Sequence, residues 1–368
     1  MLVDHVRSYG NMLSVQRQSD YPGMDILACW PEGYFPQDAK YVQMAARKCG
    51  SNGFMAEVCP FDNPEEFGKA PFDNLLATMG LNYISGVRTT QSYAEADFSA
   101  FGDGRFRDFL PRNQDMFGQV RKYFDRAQMR QLNAYVGRMG LLLDGLQNQC
   151  TTVLYFGIED VQAKYTPKHD CEVGAQAIGC DLATLRLLRA MLDEGRDFLF
   201  ADAEDLTEIA RTGRLGGEEI RRILLPGLDV IRPEALAALR QLKKAGVCVL
   251  FAEKLPHIDA LSGQQLQLAG EFEAVSVQEA VQIPDAQEPQ FKTLSGPIVR
   301  QARYRTRDSK SMFFLLNPGR TESVVRLPGA DARRCTALDP FTGTIAQERL
   351  KRDWTVPAVR GIFIIIEE

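Results

Sequence analysis

Three short apolar runs recur near the start of the chain, each announced by a turn signal. Residues 24–29 (MDILAC) follow Tyr21-Pro22-Gly23, residues 53–59 (GFMAEVC) follow Cys49-Gly50-Ser51-Asn52, and residues 81–87 (LNYISGV) follow Met79-Gly80. Their starts lie about 29 residues apart, the length of one strand, one loop and one helix. The intervening stretches carry helical patterns. Residues 39–48 bring Val42, Met44, Ala45 and Ala46 together, and residues 64–79 do the same for Phe67, Phe72, Leu75, Leu76 and Met79. Gly50 and Gly80 stand where C-terminal caps are expected. A β-α-β-α-β series with short apolar strands predicts a parallel sheet. Before it, Leu2, Val6, Tyr9, Leu13 and Arg17 fall on one face at helical spacing, which predicts a helix from the third residue onward. A chain that opens in the middle of a helix–strand series implies further sequence upstream.

Residues 88–118 read as a long polar loop, and 116–145 as a long amphipathic helix. Alternation resumes at a strand over 151–156. Helix 182–192 follows with Asp181 as its N-cap, then strand 197–200, helix 203–211 and strand 223–227. A helix over 233–245 has proline in its first turn and is closed by Gly246, and strand 247–251 completes the series. This is a doubly wound α/β pattern. The period then shortens. Runs at 298–304, 311–316, 323–327, 335–338 and 361–366, with turns at Asn317-Pro318-Gly319, Pro328-Gly329 and Thr342-Gly343, predict an all-β sandwich. The predicted division is 1–148, 149–296 and 297–368.

With 368 residues, two or three domains and a sizeable core are expected. The net charge is −5 with both signs interspersed, which argues against nucleic acid as a partner. No run has the length of a membrane span, and the first residues lack the pattern of a signal peptide. Eight cysteines without a CxxC pair predict reduced thiols in a cytoplasm. His5, His169 and His257 are too scattered for a histidine metal site, and neither metal nor cofactor is expected.

The order of these stretches resembles the C-terminal part of large glycoside hydrolases of the α-L-rhamnosidase and β-galactosidase type. PGMDILACW looks like a late barrel strand and its loop, and NGFMAEVCPF like the later strand that ends in a glutamate. FDNLLATMGLNYISGV resembles the helix and final strand, and LNAYVGRMGLLLDG the helix after the barrel. VLYFGIEDVQAKYTP and ILLPGLDVIRPEALAALRQLKKAGVCVLF are similar to an amidotransferase-like α/β domain. FFLLNPGRTESVVRLPG with ALDPFTGTI resembles a terminal β-domain. The resemblance implies a partial (β/α) TIM barrel holding about three strands, the sixth to eighth, then an open doubly wound α/β domain and a small β-sandwich. It implies two carboxylates at strand ends, from the fourth and seventh strands, of which the first would lie upstream of Met1.

Glu57 is the principal candidate, because it ends an apolar strand where barrels place their catalytic groups. Glycoside cleavage needs one carboxyl to protonate the leaving oxygen and another to attack the sugar or activate water. The resemblance assigns Glu57 the second role; a structural ion pair at a strand end is the plain reading beside it. Trp30, Glu32 and Tyr34 follow the first apolar run, where an indole face stacks on a sugar ring or plugs the barrel rim. Glu32 and Asp62 are the nearby carboxyls that could face Glu57. Tyr83 and Arg88 flank the third run as candidate substrate contacts, although a solvated loop arginine is the commoner case. Asp25 is a weaker candidate that alternates inward. Cys248 lies within a strand, while Cys171 and Cys180 lie in a polar loop, so the strained elbow of an amidotransferase nucleophile is not expected. Residues 213–217 lack the Lys-Ser/Thr ending of a phosphate loop. Two functions follow: hydrolysis of oligosaccharides by a partial glycoside hydrolase, and a non-catalytic carbohydrate-binding or interaction module derived from one. Open sheet edges in a partial barrel predict either self-association into a homo-oligomer or a complementing partner.

Overall fold

The computed structural model describes residues 2–4, 12–26, 31–34, 36–58, 68–92, 125–164, 175–282, 290–328, 334–349 and 352–367. It is a mixed α/β structure with two large parallel sheets, a two-stranded parallel pair (Val230–Ile231 with Ile258–Asp259) and separate antiparallel sheets.

The first sheet holds β1 (Leu2–Asp4), β2 (Pro22–Ile26), β3 (Phe54–Val58) and β4 (Val87–Ser92). They lie side by side in chain order and all run parallel. Helices α1 (Met12–Gln16), α2 (Pro36–Lys48) and α3 (Pro71–Ile84) connect or follow them. Side-chain alternation divides the sheet cleanly. Met24, Ile26, Phe54, Ala56 and Val58 pack with Ala39, Val42 and Ala46 of α2 and Leu75, Leu76 and Met79 of α3. The opposite face carries the intervening positions.

Two expectations for this region are corrected. The first residues form a strand, β1, rather than a helix, so the sheet has four strands where three apolar runs were counted. Residues 81–84 belong to α3, and the strand begins only at Val87. The cause is burial on every side: residues 74–84 are all buried, so α3 has no polar stripe to mark its period. Gly80 is no cap. It sits inside α3 against the sandwich, where an added Cβ would meet Leu316 Cδ1 at 2.5 Å. Gly50 does follow α2 in the left-handed region, as a cap should.

Helix α4 (Arg126–Leu143) starts at a capping box, with Asp125 accepting from the Gln128 amide at 2.8 Å. The second parallel sheet comprises β5 (Thr152–Tyr155), β6 (Leu199–Ala201), β7 (Arg222–Leu225), β8 (Cys248–Ala252) and β9 (Ala274–Val275), in the spatial order β9-β8-β7-β5-β6. Helices α5 (Ile158–Lys164), α6 (Ala175–Asp193), α7 (Ala203–Thr212), α8 (Pro233–Lys244) and α9 (Val277–Gln282) accompany it. The strand order reverses between β5 and β7, as in doubly wound sheets. Asp181 falls inside α6 rather than capping it, and Cys180 belongs to the same helix rather than to a loop, while Cys171 lies outside the described residues.

The larger of the remaining sheets are antiparallel. One sheet runs β11-β12-β17-β14-β15, with β11 (Arg300–Arg305), β12 (Ser311–Leu316), β14 (Arg334–Asp339), β15 (Thr344–Arg349) and β17 (Gly361–Ile366). The other joins β10 (Lys292–Ser295), β13 (Ser323–Arg326) and β16 (Asp353–Val356). Phe313, Leu315, Ile364 and Ile366 fill the space between the sheets with Val325, Trp354 and Val356. The alternate residues Met312, Phe314, Leu316 and Phe363 point the other way, onto α3 and α4. Gly361 opens β17 beneath the Phe314 ring, where an added Cβ would lie 2.7 Å from Phe314 Cζ and 2.8 Å from the Leu315 carbonyl oxygen. Backbone cannot yield as a side-chain tip does. Gly361→Ala should therefore lower the unfolding free energy by about 1–3 kcal/mol, read as a fall in the urea midpoint with unchanged slope.

Helices α1 and α2 meet the second sheet through both apolar and charged groups. Tyr41 stacks on Phe200 at 4.3 Å, and Leu13 and Met44 join the same core. Around them Arg17, Lys40, Arg47 and Lys48 face Asp197, Asp202, Asp205, Glu208 and Glu218.

Candidate functional site

The face of the first sheet turned away from its helices is built in layers. The lower layer is Gly23, Met55 and Thr89, which are register partners across β2, β3 and β4. The Tyr21 hydroxyl and Thr89 Oγ1 lie 2.8 Å apart, so this side chain crosses over β3 from the β2 side. Gly23 has no side chain to obstruct it, and Met55 beneath is buried. The upper layer is Asp25 of β2 beside Glu57 of β3, with Gln91 the register position on β4. In both β2 and β3 the acid is the half-buried member of an otherwise buried strand. Both acids stand next to last in their strands, at the carboxyl end of the sheet. Adjacent strands are about 4.8 Å apart, so the two carboxylates rise as neighbours from one face.

The sheet brings together Glu57 and Asp25. By sequence Asp25 is the weaker candidate, although it shares with Glu57 one signal, an acid just before the last apolar residue in MDI and AEV. Glu32 is exposed on the turn Pro31–Gly33, which follows the same end of β2. Tyr34 is buried, its hydroxyl donating to Asn82 Oδ1 at 3.0 Å, which ties the turn to α3. Trp30 and Asp62 lie outside the described residues.

Tyr83 and Arg88 stand elsewhere. Tyr83 belongs to α3, is 1 % exposed and meets the Tyr135 ring edge-on at 6.2 Å. Burial pushes its hydroxyl up to about 12, against smaller opposing effects of Thr90 and Arg88. Arg88 is the second residue of β4, about 10 Å below the carboxylate row at the usual rise per residue. Its guanidinium donates to the Val87 and Leu146 carbonyls at 2.8 and 3.0 Å and lies over the Tyr304 ring. Arg88 thus fastens the amino end of the sheet to the chain beyond α4. The expectation that these two residues flank the last strand at the substrate end is corrected: the strand starts later, so both fall at the opposite end.

A second charged group gathers at the carboxyl ends of β5, β7 and β8. Asp160 accepts from the Asp229 and Val230 amides at 2.9 Å and pairs with Lys164 at 3.0 Å. Asp229 pairs with Lys164 and Lys254. Burial opposes its ionised form, but these bonds outweigh it and hold its carboxyl below the usual range. Glu253, directly after β8, has a left-handed backbone (φ 69°) and pairs with Arg186 at 2.9 Å. The position is that of an elbow, yet it bears a carboxylate in place of a nucleophilic thiol; Cys248 is the first residue of β8, at the other end. Gly213 caps α7 in the left-handed region, and the following residues form a two-residue hairpin rather than a phosphate loop. Among the described residues there is no cluster of three or more metal-ligating side chains, and no helix long and apolar enough to cross a membrane.

No family model and no curated protein matches the sequence. Solved structures do match. The chain superposes on a β-galactosidase from Bacillus circulans sp. alkalophilus with a TM-score of 0.63 at 11 % identity, covering 97 % of this chain and 62 % of that one. An exo-carrageenase GH42 from Bacteroides ovatus gives 0.62 at 12 %, covering 97 % and 49 %. A rhamnosidase from Novosphingobium sp. PP1Y gives 0.61 at 16 %, covering 97 % and 35 %. The fold is therefore one found in glycoside hydrolases, and the chain spans less than two thirds of the length of these structures.

Proposed function

We propose that this chain is part of a glycoside hydrolase acting on oligosaccharides, and that its first sheet is a segment of a (β/α) TIM barrel whose inner face carries Glu57. In this reading residues 1–148 form the barrel segment and the helix after it, 149–296 an amidotransferase-like α/β domain, and 297–368 a β-sandwich. The observation that carries it is the Asp25–Glu57 row at the carboxyl end of a parallel sheet, on the face opposite the helices. Barrel enzymes place their chemistry at that end. Glu57 serves as nucleophile or as the base that activates water, and the partner acid protonates the leaving oxygen. Asp25, one strand away, is the described carboxyl best placed to be tested as that partner. Glu32 on the following turn and Trp30 and Asp62 by sequence are the proposed sugar contacts. Tyr83 and Arg88 are withdrawn from that set because they hold the opposite end of the sheet.

The test is turnover of a panel of chromogenic aryl glycosides, rhamnosides and galactosides included, by the chain and by Glu57→Gln and Asp25→Asn. Removing an acid–base or nucleophilic carboxyl should cost about a hundredfold or more in kcat, with thermal unfolding of the variant close to that of the parent. If Glu57→Gln hydrolyses any of these glycosides as fast as the parent, the assignment fails. A folded chain that binds oligosaccharides without cleaving them is the carbohydrate-binding module instead.

A further inference from the structure

A recess of about 570 Å³, counted with its open mouth, lies where α2 and the end of α3 meet the end of α6 and the start of β11. It sits on the helix side of the first sheet, away from the Asp25–Glu57 row. Its size is that of a small-molecule site, and such sites favour places where structural units meet, with apolar walls and a few convergent polar groups. The apolar walls here are Leu81 and Ile84 of α3, Leu192 of α6 and Tyr34 of the turn before α2. The polar lining is unevenly matched. Its carboxylate and amide oxygens are engaged. Asp197 accepts from Lys40 and the Phe198 amide through one oxygen and from Asn148 through the other. Gln301 accepts from the Phe291 amide at 3.0 Å and donates to the Phe291 carbonyl at 2.8 Å. Donors are left over. Ser85 is 2 % exposed, yet its hydroxyl makes no hydrogen bond among the described residues. A buried hydroxyl without a partner is costly, so one that lines a cavity marks a place for a ligand atom. Lys40 has three N–H groups and gives two, to Gln43 at 3.1 Å and to Asp197. Arg300 has five, and its ion pair is with the half-exposed Asp193 at 2.8 Å. Solvent screens such a pair, so the guanidinium keeps both charge and donors to offer.

An inorganic anion would meet the donors and leave the apolar walls wet, and a hydrocarbon would do the opposite. We infer that this recess binds a small organic carboxylate, with its carboxyl on the Arg300 guanidinium and the Ser85 hydroxyl and its apolar body against Leu81, Ile84 and Leu192. A carboxylate suits a guanidinium better than a neutral acceptor does, because the bonds are charge-assisted and form in pairs. The ligand touches α3, α6 and β11 together, so its binding ties the first sheet's helix to the second parallel sheet and to the sandwich. Occupancy should therefore raise the thermal midpoint, and it needs no turnover at the carboxylate row.

The full chain is titrated at constant ionic strength with sodium hexanoate, benzoate and acetate, with inorganic phosphate, and with hexanamide and galactose as neutral probes. Calorimetry and the thermal midpoint are read. Hexanoate or benzoate should bind saturably and raise the midpoint, acetate and phosphate far less, and the neutral probes not at all. Arg300→Gln and Ser85→Ala should each weaken the carboxylate about tenfold, the loss of one charge-assisted or buried hydrogen bond. Lys40 is left in place because it also holds Asp197. Ser85→Ala removes a hydroxyl that has no partner, so the unliganded protein should be no less stable than the parent, and lost binding then reports the site rather than the fold. Carboxylate binding that survives both substitutions, equal binding of hexanamide or galactose, or no saturable binding of any carboxylate overturns the assignment.

Discussion

Replacing Arg47 by methionine should lower the unfolding free energy by about 3–5 kcal/mol, the cost of breaking a buried ionic contact from one side. Arg47 is 3 % exposed in its side chain and joins three parts of the chain. Its guanidinium donates to the Asn148 carbonyl and, at 2.6 Å, to Asn148 Oδ1. It also donates to the Gly216 carbonyl at 3.3 Å and lies 3.6 Å from Glu218. Methionine keeps the apolar stem but removes the donor that the Asn148 and Gly216 carbonyls have here, while Asn148 Oδ1 keeps its bond from Gln43, and the penalty for an unmet buried acceptor exceeds the net worth of the bond. Asn148 is itself a hub: it accepts from Gln43 at 2.8 Å and donates to Asp197, the partner of Lys40. The loss should spread to the contact between α2 and the second sheet.

Part of that loss should depend on pH. Burial raises the Glu218 carboxyl above the ordinary range, with Arg47 opposing the shift. A carboxyl whose folded pKa is raised favours the folded state when protonated, and that contribution is lost as pH rises through the folded value. Without Arg47 the folded pKa climbs further. The deficit of Arg47→Met should therefore be greater at neutral than at mildly acidic pH, while the part due to the orphaned carbonyls stays constant. Urea unfolding at both conditions, with Arg47→Met/Glu218→Gln as the control, separates the two. A deficit equal at both, or absent, would show that this ionic contact is not what holds the layers together.

What the sequence revealed, and what it hid, follows from where polarity is written. β2, β3, β7 and β8 were legible because each is a short apolar run between turn residues. α8 was legible through proline at its start and Gly246 at its end. Glu57 was legible because one charged residue closes an apolar run. α3 was not, since a helix buried all round has no stripe, and a glycine inside it passes for a stop. The strand β1 was hidden because a three-residue strand is shorter than any period that could reveal it. The largely exposed edge strands β10 and β15 carry too few apolar residues to register, and β16 offers only Trp354 and Val356. The Asp25–Glu57 row was beyond a linear reading, because it depends on the register between two strands. So did the charged contact of α1 and α2 with the second sheet, whose partners are more than a hundred residues apart: Lys40 with Asp197, Arg17 with Asp202.

The β-sandwich should prove as necessary to the first sheet as the helices that cover it, and Phe314→Ala tests this. Phe314 is fully buried, stacks on Phe363 at 4.5 Å and 20°, and belongs to the core that contains α3 and α4 rather than the core between the two antiparallel sheets. Truncating a buried phenylalanine costs about 3–5 kcal/mol, from lost burial and from the cavity left behind. Phe313, the next residue, faces the other core, against Phe291 at 5.3 Å. Phe313→Ala should cost a similar amount at a different place. The two variants separate by hydrogen exchange. Phe314→Ala should release the amides of α3 and of β3 and β4 beneath it, whereas Phe313→Ala should release those of β13 and β16 first. If Phe314→Ala loosens only the sandwich, α3 does not depend on it, and the first sheet with its carboxylate row would stand as an independent folding unit. If α3 is released, the carboxyl row owes its position to residues more than two hundred positions downstream, and any functional form of this sheet must carry the sandwich with it.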